Sequence, residues 1–191
     1  MSSARSIDPH RLDVAAFAQV DGELRGEWPL AALPRLLQDA LPLSADSPAH
    51  SVAWSARGSH KVVPGGEAEL RLHLQARTAL HLVCQRCLQA MTFVLDVQPV
   101  LRFVRGEALA EALDEHSDED VLALTPSLDL QPLIEDELIL ALPLVPRHPS
   151  CPQPLPMSAG EDDLMAGDEA EHAFAGLASL MRDGRSGGKS S

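Results

Sequence analysis

The sequence has no tyrosine and few aromatic residues of any kind: four phenylalanines and two tryptophans in 191 residues. That shortage argues against stacking platforms for single-stranded nucleic acid, which need exposed rings for the bases to lie on. The core must therefore come from Leu, Val and Ala, and a hydrophobic content of 45% is enough to supply it. Only three cysteines occur, Cys84, Cys87 and Cys151, so no disulfide framework is expected. No apolar run approaches the ~20 residues that span a bilayer. The opening "MSSARSIDPHRLD" lacks the apolar centre of a secretory signal. These absences predict a cytoplasmic chain with reduced thiols and no membrane partner. Nucleophile elbow, P-loop, dinucleotide fingerprint and His-Glu-x-x-His pair are missing too, and "DEHSDED" (114–120) lacks EF-hand spacing. No catalytic residue and no small-molecule substrate are expected.

Net charge is −13, which repels nucleic acid on average. The charge is uneven. From Arg57 to Arg105, seven basic residues face three acids, and much of the acid excess falls in two runs, 107–120 and 161–171. Within the basic segment, Arg71, Arg77 and Arg86 are the candidate phosphate contacts. An ordinary wetted sheet face is the plainer reading of the same arginines.

Hydrophobic periodicity predicts an α+β fold: an antiparallel β-sheet core flanked by a few helices, with barrel-like closure as one form of it. In "EAELRLHLQA", Leu70, Leu72, Leu74 and Ala76 alternate with polar residues, the period-two signature of a strand with one wet face. Val52, Trp54 and Ala56 share such a face, as do Leu80, Leu82 and Cys84, and Phe93, Leu95, Val97, Leu101 and Phe103. Pro99 places an edge or a bulge in the last of these. Asp8 and Pro9 read as the start of a short helix over 7–19. Residues 29–41 read as a short or kinked helix interrupted by Pro34. Residues 105–126 read as an acidic loop with some helix. Leu130, Leu133, Ile134, Leu138 and Leu142 recur at helical spacing, with Glu135, Asp136 and Glu137 assigned to the opposite side. That predicts a helix over about 132–141, ended by Pro143 and Pro146. One domain is expected over 1–150, then an acidic Pro/Gly-rich linker (151–168), a short amphipathic helix (169–183) and a disordered tail (184–191). The helix puts Phe174, Leu177, Leu180 and Met181 on one stripe, a candidate partner-binding face.

The Cys84-x-x-Cys87 pair admits three readings. A redox pair works best with its first cysteine at a helix N-terminus, and "LVCQRCLQA" lies between strands instead. A structural zinc site needs two more ligands, and His148 and Cys151 supply a second pair. Three unconnected thiols are the third reading. A zinc- or thiol-dependent enzyme or redox protein using Cys84 and Cys87 is the competing functional class.

Several features coincide in order. "CQRCL" (84–88) follows a strand, an acidic stretch comes next, and then "LIEDELILALPLVPRH" (133–148). A cysteine follows, and "FAGLASL" (174–180) lies near the end. This order resembles the bacterial YceD family, the large ribosomal RNA subunit accumulation proteins, from about Trp54 onward. The resemblance implies a non-catalytic cytosolic factor supporting synthesis, processing or stability of 23S rRNA, with rRNA or ribosome-assembly proteins as partners. Relatives with a fuller cysteine set near the C-terminal end imply a metal knuckle. In this chain that region offers His148 and Cys151.

Overall fold

The structure, a computed structural model, describes residues 7–38, 40–42, 51–62 and 68–153. The expected linker beyond 153, the amphipathic helix with Phe174, Leu177, Leu180 and Met181, and the tail lie outside the described residues.

The architecture is α+β, built on one mixed six-stranded sheet. Its central strand, β3 (Glu69–Val83), is the longest, because the alternation seen in sequence runs without a phase change from Leu70 to Leu82. Its even-numbered residues are buried and its odd-numbered ones face water or lie half-buried. On one side of β3 lies β2 (Ser51–Lys61), itself paired with β1 (Glu23–Pro29); both pairings are antiparallel. On the other side two strands share β3 end to end. β4 (Ala90–Val97) pairs with 76–83, and β5 (Val100–Val104) with 70–73. The single strand expected across Phe93 to Phe103 is thus split at Gln98–Pro99, where proline cannot donate to a ladder. The outermost strand, β6 (Asp120–Ala123), pairs with β5 in parallel, so the sheet is not wholly antiparallel as expected. The order β1-β2-β3-β5-β6 is open rather than closed into a barrel.

One face of this sheet is covered. α1 (Val14–Gln19) buries Val14, Phe17 and Ala18. Its approach is close: a Cβ on Gly58 would stand 2.8 Å from the backbone of Phe17 and Ala18. This helix begins at an Asp13 cap, whose side chain accepts from Ala16 N–H, and not at Asp8–Pro9 as the sequence pattern predicts. Asp8 instead closes a turn, accepting from His10 N–H and, through its carbonyl, from Arg11 N–H. The expected helix over 29–41 is a single 3₁₀ turn, Leu30–Ala32, followed by turns. Leu30, Leu33 and Leu36 fall three apart and are all buried, a spacing suited to 3₁₀ turns and not to an α-helix.

The acidic stretch after β5 contains α2 (Glu107–Asp114) and then β6. α3 (Leu130–Leu140) is the predicted helix, capped by Asp129 accepting from Gln131 N–H. It inserts Leu130, Ile134 and Leu138 fully into the core, burial worth about 1.5–3 kcal/mol per side chain. Among the described residues no helix is long and apolar enough to cross a membrane.

Glu135 lies on the buried side of α3, not on the wet side with its acidic neighbours, and is only 4% exposed. Its carboxylate accepts from the backbone N–H of Arg35 (2.7 Å) and Leu36 (3.1 Å) and from Arg35 Nε (2.9 Å). The same guanidinium reaches Asp136. Leu12 and Leu128 exchange backbone hydrogen bonds, and Leu130 N–H donates to the Pro9 carbonyl. The N-terminal third is therefore tied to α3 at two places.

Candidate metal centre

β3 and β4 are joined by the turn that holds both cysteines of "CQRC". Cys84 N–H donates to the Gln89 carbonyl (2.9 Å), and Leu88 N–H donates back to the Cys84 carbonyl (2.8 Å). Closing the turn in this way needs one left-handed residue, and Leu88 takes that role with φ +58°. Cys84 is the last inward position of the β3 alternation and is fully buried, whereas Cys87 lies half-buried in the turn.

The second ligand pair arrives from α3. Past Ala141 the chain cannot continue as a helix through Pro143 and Pro146. It runs instead to the hairpin tip, where Gln85 N–H donates to the Pro146 carbonyl at 2.8 Å. Two residues later stands His148, then Cys151. Cys84, Cys87, His148 and Cys151 have ligand atoms that all lie within 4.8 Å of one another. His148 N–H points at Cys84 Sγ (3.4 Å), and His148 Nδ1 faces Cys87 Sγ (3.4 Å).

The electrostatics of the cluster are those of thiols that share too little positive charge. Burial alone would raise the Cys84 thiol. Backbone N–H groups of His148, Cys87 and Arg86 outweigh it and bring the thiol down to about 5. Cys87 moves up, first through burial and then through its neighbours Cys151 and Cys84. One thiolate thus opposes the formation of the next. A divalent cation relieves that conflict by binding them all as thiolates. The donor set, three thiols and one imidazole, is that of a closed tetrahedral zinc site. Metal–sulfur bonds of ~2.3 Å would place sulfurs about 3.8 Å apart, so the present spread needs only small side-chain closure.

The three arginines expected to touch phosphate lie in different surroundings. Arg71 is held by Glu119 (2.9 Å) and Glu69 (3.0 Å), and Glu69 also takes Arg102 at 3.1 Å. Arg77 is largely exposed, with Asp96 at 3.9 Å. Arg86 belongs to the cysteine cluster: its Nε donates to Cys151 Sγ (3.0 Å) and its Nη2 to the His148 carbonyl (3.1 Å). That contact holds the Arg86 guanidinium above its ordinary value. Sequence reasoning missed this role, although an arginine inside a Cys-x-x-Cys turn is placed to reach a facing thiolate. It also missed Glu135. The steps from Gln131 to Glu135, Leu138 and Leu142 put that glutamate on the buried stripe.

No solved structure matches the chain. The profile of one protein family, described as large ribosomal RNA subunit accumulation protein YceD, matches residues 72–181, a stretch that contains the β3–β4 turn, α3 and all four clustered ligands. That stretch is more than half of the sequence, and the chain belongs to the YceD family.

Proposed function

We propose that this chain is a non-catalytic, cytoplasmic factor supporting synthesis, processing or stability of 23S rRNA, and so assembly of the large ribosomal subunit. The match to the YceD family over 72–181 is the observation that carries the reading. In it, Cys84, Cys87, His148 and Cys151 hold a structural zinc ion that pins the 146–151 segment to the β3–β4 turn. Zinc would supply the charge the thiols lack, and the Gln85–Pro146 hydrogen bond and Arg86 orient the two loops toward each other. Full burial of Cys84 disfavours a redox pair in which Cys84 attacks an external disulfide, since that sulfur has no exposed surface. Of the three arginines proposed to contact rRNA, Arg77 is largely exposed and only loosely held, by Asp96 at 3.9 Å. The stripe Phe174, Leu177, Leu180 and Met181 is the proposed docking element for an assembly protein.

The test is depletion of the protein, followed by sedimentation of ribosomes and quantification of rRNA. The expected result is loss of mature 23S rRNA and of free and assembled large subunits, with 16S rRNA spared. A normal large-subunit profile rejects the proposal. Deleting residues 168–191 separates the tail's role: the expected result is unchanged melting with reduced 23S rRNA, and unaltered rRNA levels reject docking through that stripe.

A further inference from the structure

The three sulfurs of the cluster differ in what can reach them. Cys84 is fully buried, and its sulfur is held by the N–H groups of His148 (3.4 Å), Cys87 and Arg86. Cys87 and Cys151 are each half-buried, one in the β3–β4 turn and one in the loop that follows α3. Cys87 Sγ takes the N–H of Gln89 and faces His148 Nδ1 at 3.4 Å. Cys151 Sγ takes Nε of Arg86, an exposed side chain, at 3.0 Å. Two cysteines with access to solvent thus stand on facing loops, with sulfurs no more than 4.8 Å apart.

The loops are held in that position without the sulfurs. Gln85 N–H donates to the Pro146 carbonyl at 2.8 Å, and Arg86 Nη2 donates to the His148 carbonyl at 3.1 Å. Both donors lie inside the Cys-x-x-Cys turn, so the turn grips the far loop beside Cys151. Closing Cys87 and Cys151 to the ~2 Å of a disulfide asks for side-chain rotation within loops that already meet. A bond to Cys84 would instead pull its sulfur away from three N–H donors.

We propose that Cys151 and Cys87 are a peroxide-oxidised pair, in which a covalent pin between the two loops replaces the metal pin. Each cysteine enters as the thiolate in which it binds zinc. The Cys151 sulfur attacks hydrogen peroxide: an S–O bond forms and the O–O bond breaks, giving a sulfenic acid and hydroxide. The Cys87 thiolate then attacks the Cys151 sulfur. An S–S bond forms and the S–O bond breaks, with loss of a second hydroxide. The sulfurs give up two electrons in all, and solvent protonates both hydroxides to water. Cys84 and His148 alone remain as ligands, and the metal is released. That release rests on the structural-zinc reading above; the sulfur chemistry does not.

The experiment starts with the zinc content of the full chain, purified without chelator. Hydrogen peroxide is added, and zinc release is followed with a chromophoric chelator. Free thiols are then alkylated in denaturant, and peptide mass spectrometry maps the linkages. The expected result is about one zinc released per disulfide formed, with the disulfide between Cys87 and Cys151 and Cys84 alkylated. Dithiothreitol is expected to reverse the bond and restore zinc binding. Cys87→Ser removes the resolving thiol, so Cys151 should stop at the sulfenic acid and be trapped by dimedone about tenfold more than in the parent. A main linkage through Cys84, overoxidation of Cys151 in the parent without a disulfide, or dimedone labelling of Cys151 that Cys87→Ser does not raise overturns the proposal. Bound zinc that stays in place while all thiols remain free under peroxide also overturns it, and leaves the structural-zinc reading intact. A chain free of zinc from the start that still forms the Cys87–Cys151 bond upholds the oxidised pair and rejects the zinc reading.

Discussion

Glu135 offers the sharpest test of how the string 133–148 holds the fold together. Its carboxylate is buried and takes two backbone N–H groups, those of Arg35 and Leu36, besides the Arg35 side chain. Truncation in Glu135→Ala strands both N–H groups, and Leu36 is itself only 1% exposed. An unsatisfied buried donor costs about 1–3 kcal/mol, so two cost about 2–6 kcal/mol, less whatever water enters the gap. The Arg35 side chain is 45% exposed and loses little. Glu135→Gln can keep its oxygen at the Oε1 position, which alone takes both backbone N–H groups, and gives up only the bond from Arg35 Nε at Oε2, so it should cost about 1 kcal/mol. Asp136→Ala, which breaks only an exposed pair with the same arginine, should cost less than about 1 kcal/mol. Urea unfolding of the parent and the three variants reads these differences as shifts in midpoint at constant slope. Glu135→Ala is expected to do by far the most damage, with Glu135→Gln and Asp136→Ala both small. If Glu135→Ala is no worse than Asp136→Ala, the carboxylate is not a backbone anchor and the reasoning fails.

Other outcomes follow from the site and the packing. Purified protein should carry about one zinc per chain, and Cys151→Ser should lower zinc content and melting temperature together. Elemental analysis with calorimetry checks this, and an unchanged melting temperature after chelation would show that nothing is held by metal. Arg86→Ala should weaken zinc affinity about tenfold to a hundredfold, because it removes the donor on Cys151 Sγ, while leaving all four ligands; competition with a chromophoric chelator measures it. Leu88→Gly should stabilise the fold by about 0.5–1 kcal/mol, since Leu88 sits at φ +58° and is 73% exposed. No gain in urea midpoint would mean the side chain makes a compensating contact. Gly58→Ala should cost about 1–3 kcal/mol by driving α1 off β2, and a melting temperature equal to the parent's would contradict the close approach.

The central sheet was legible because β3 keeps one phase for its whole length and its neighbours keep theirs. The parallel β5–β6 pair was not: β6 is four residues at the end of an acidic run, too short to show a period. The first helix was expected to start too early because Asp8–Pro9 has the chemistry of a helix start, while Val14, Phe17 and Ala18 define the face that is buried. Capping chemistry lost to packing there. The fold class was readable from pattern, but the N-terminal segment is placed by contacts about a hundred positions away, Leu12 with Leu128 and Arg35 with Glu135.

The site divides along the same line. Residue type and spacing gave both ligand pairs, yet nothing local could say that sixty residues of chain would bring them together. That approach depends on three nonlocal facts: the register that ends β3 at Cys84, the direction in which α3 points its C-terminal end, and the Gln85–Pro146 hydrogen bond. The string 133–148 supplies two of the three. Its first half anchors the N-terminal loop through Glu135 and fills the core with Ile134 and Leu138. Its second half, freed from helix by Pro143 and Pro146, delivers His148 to the hairpin tip. One continuous segment therefore ties the N-terminal third, the sheet and the ligand cluster to one another. The string is therefore under more physical constraints than the Cys-x-x-Cys. The cysteines need only a turn and a metal, whereas the string must satisfy a buried carboxylate, a core stripe and a loop path at once.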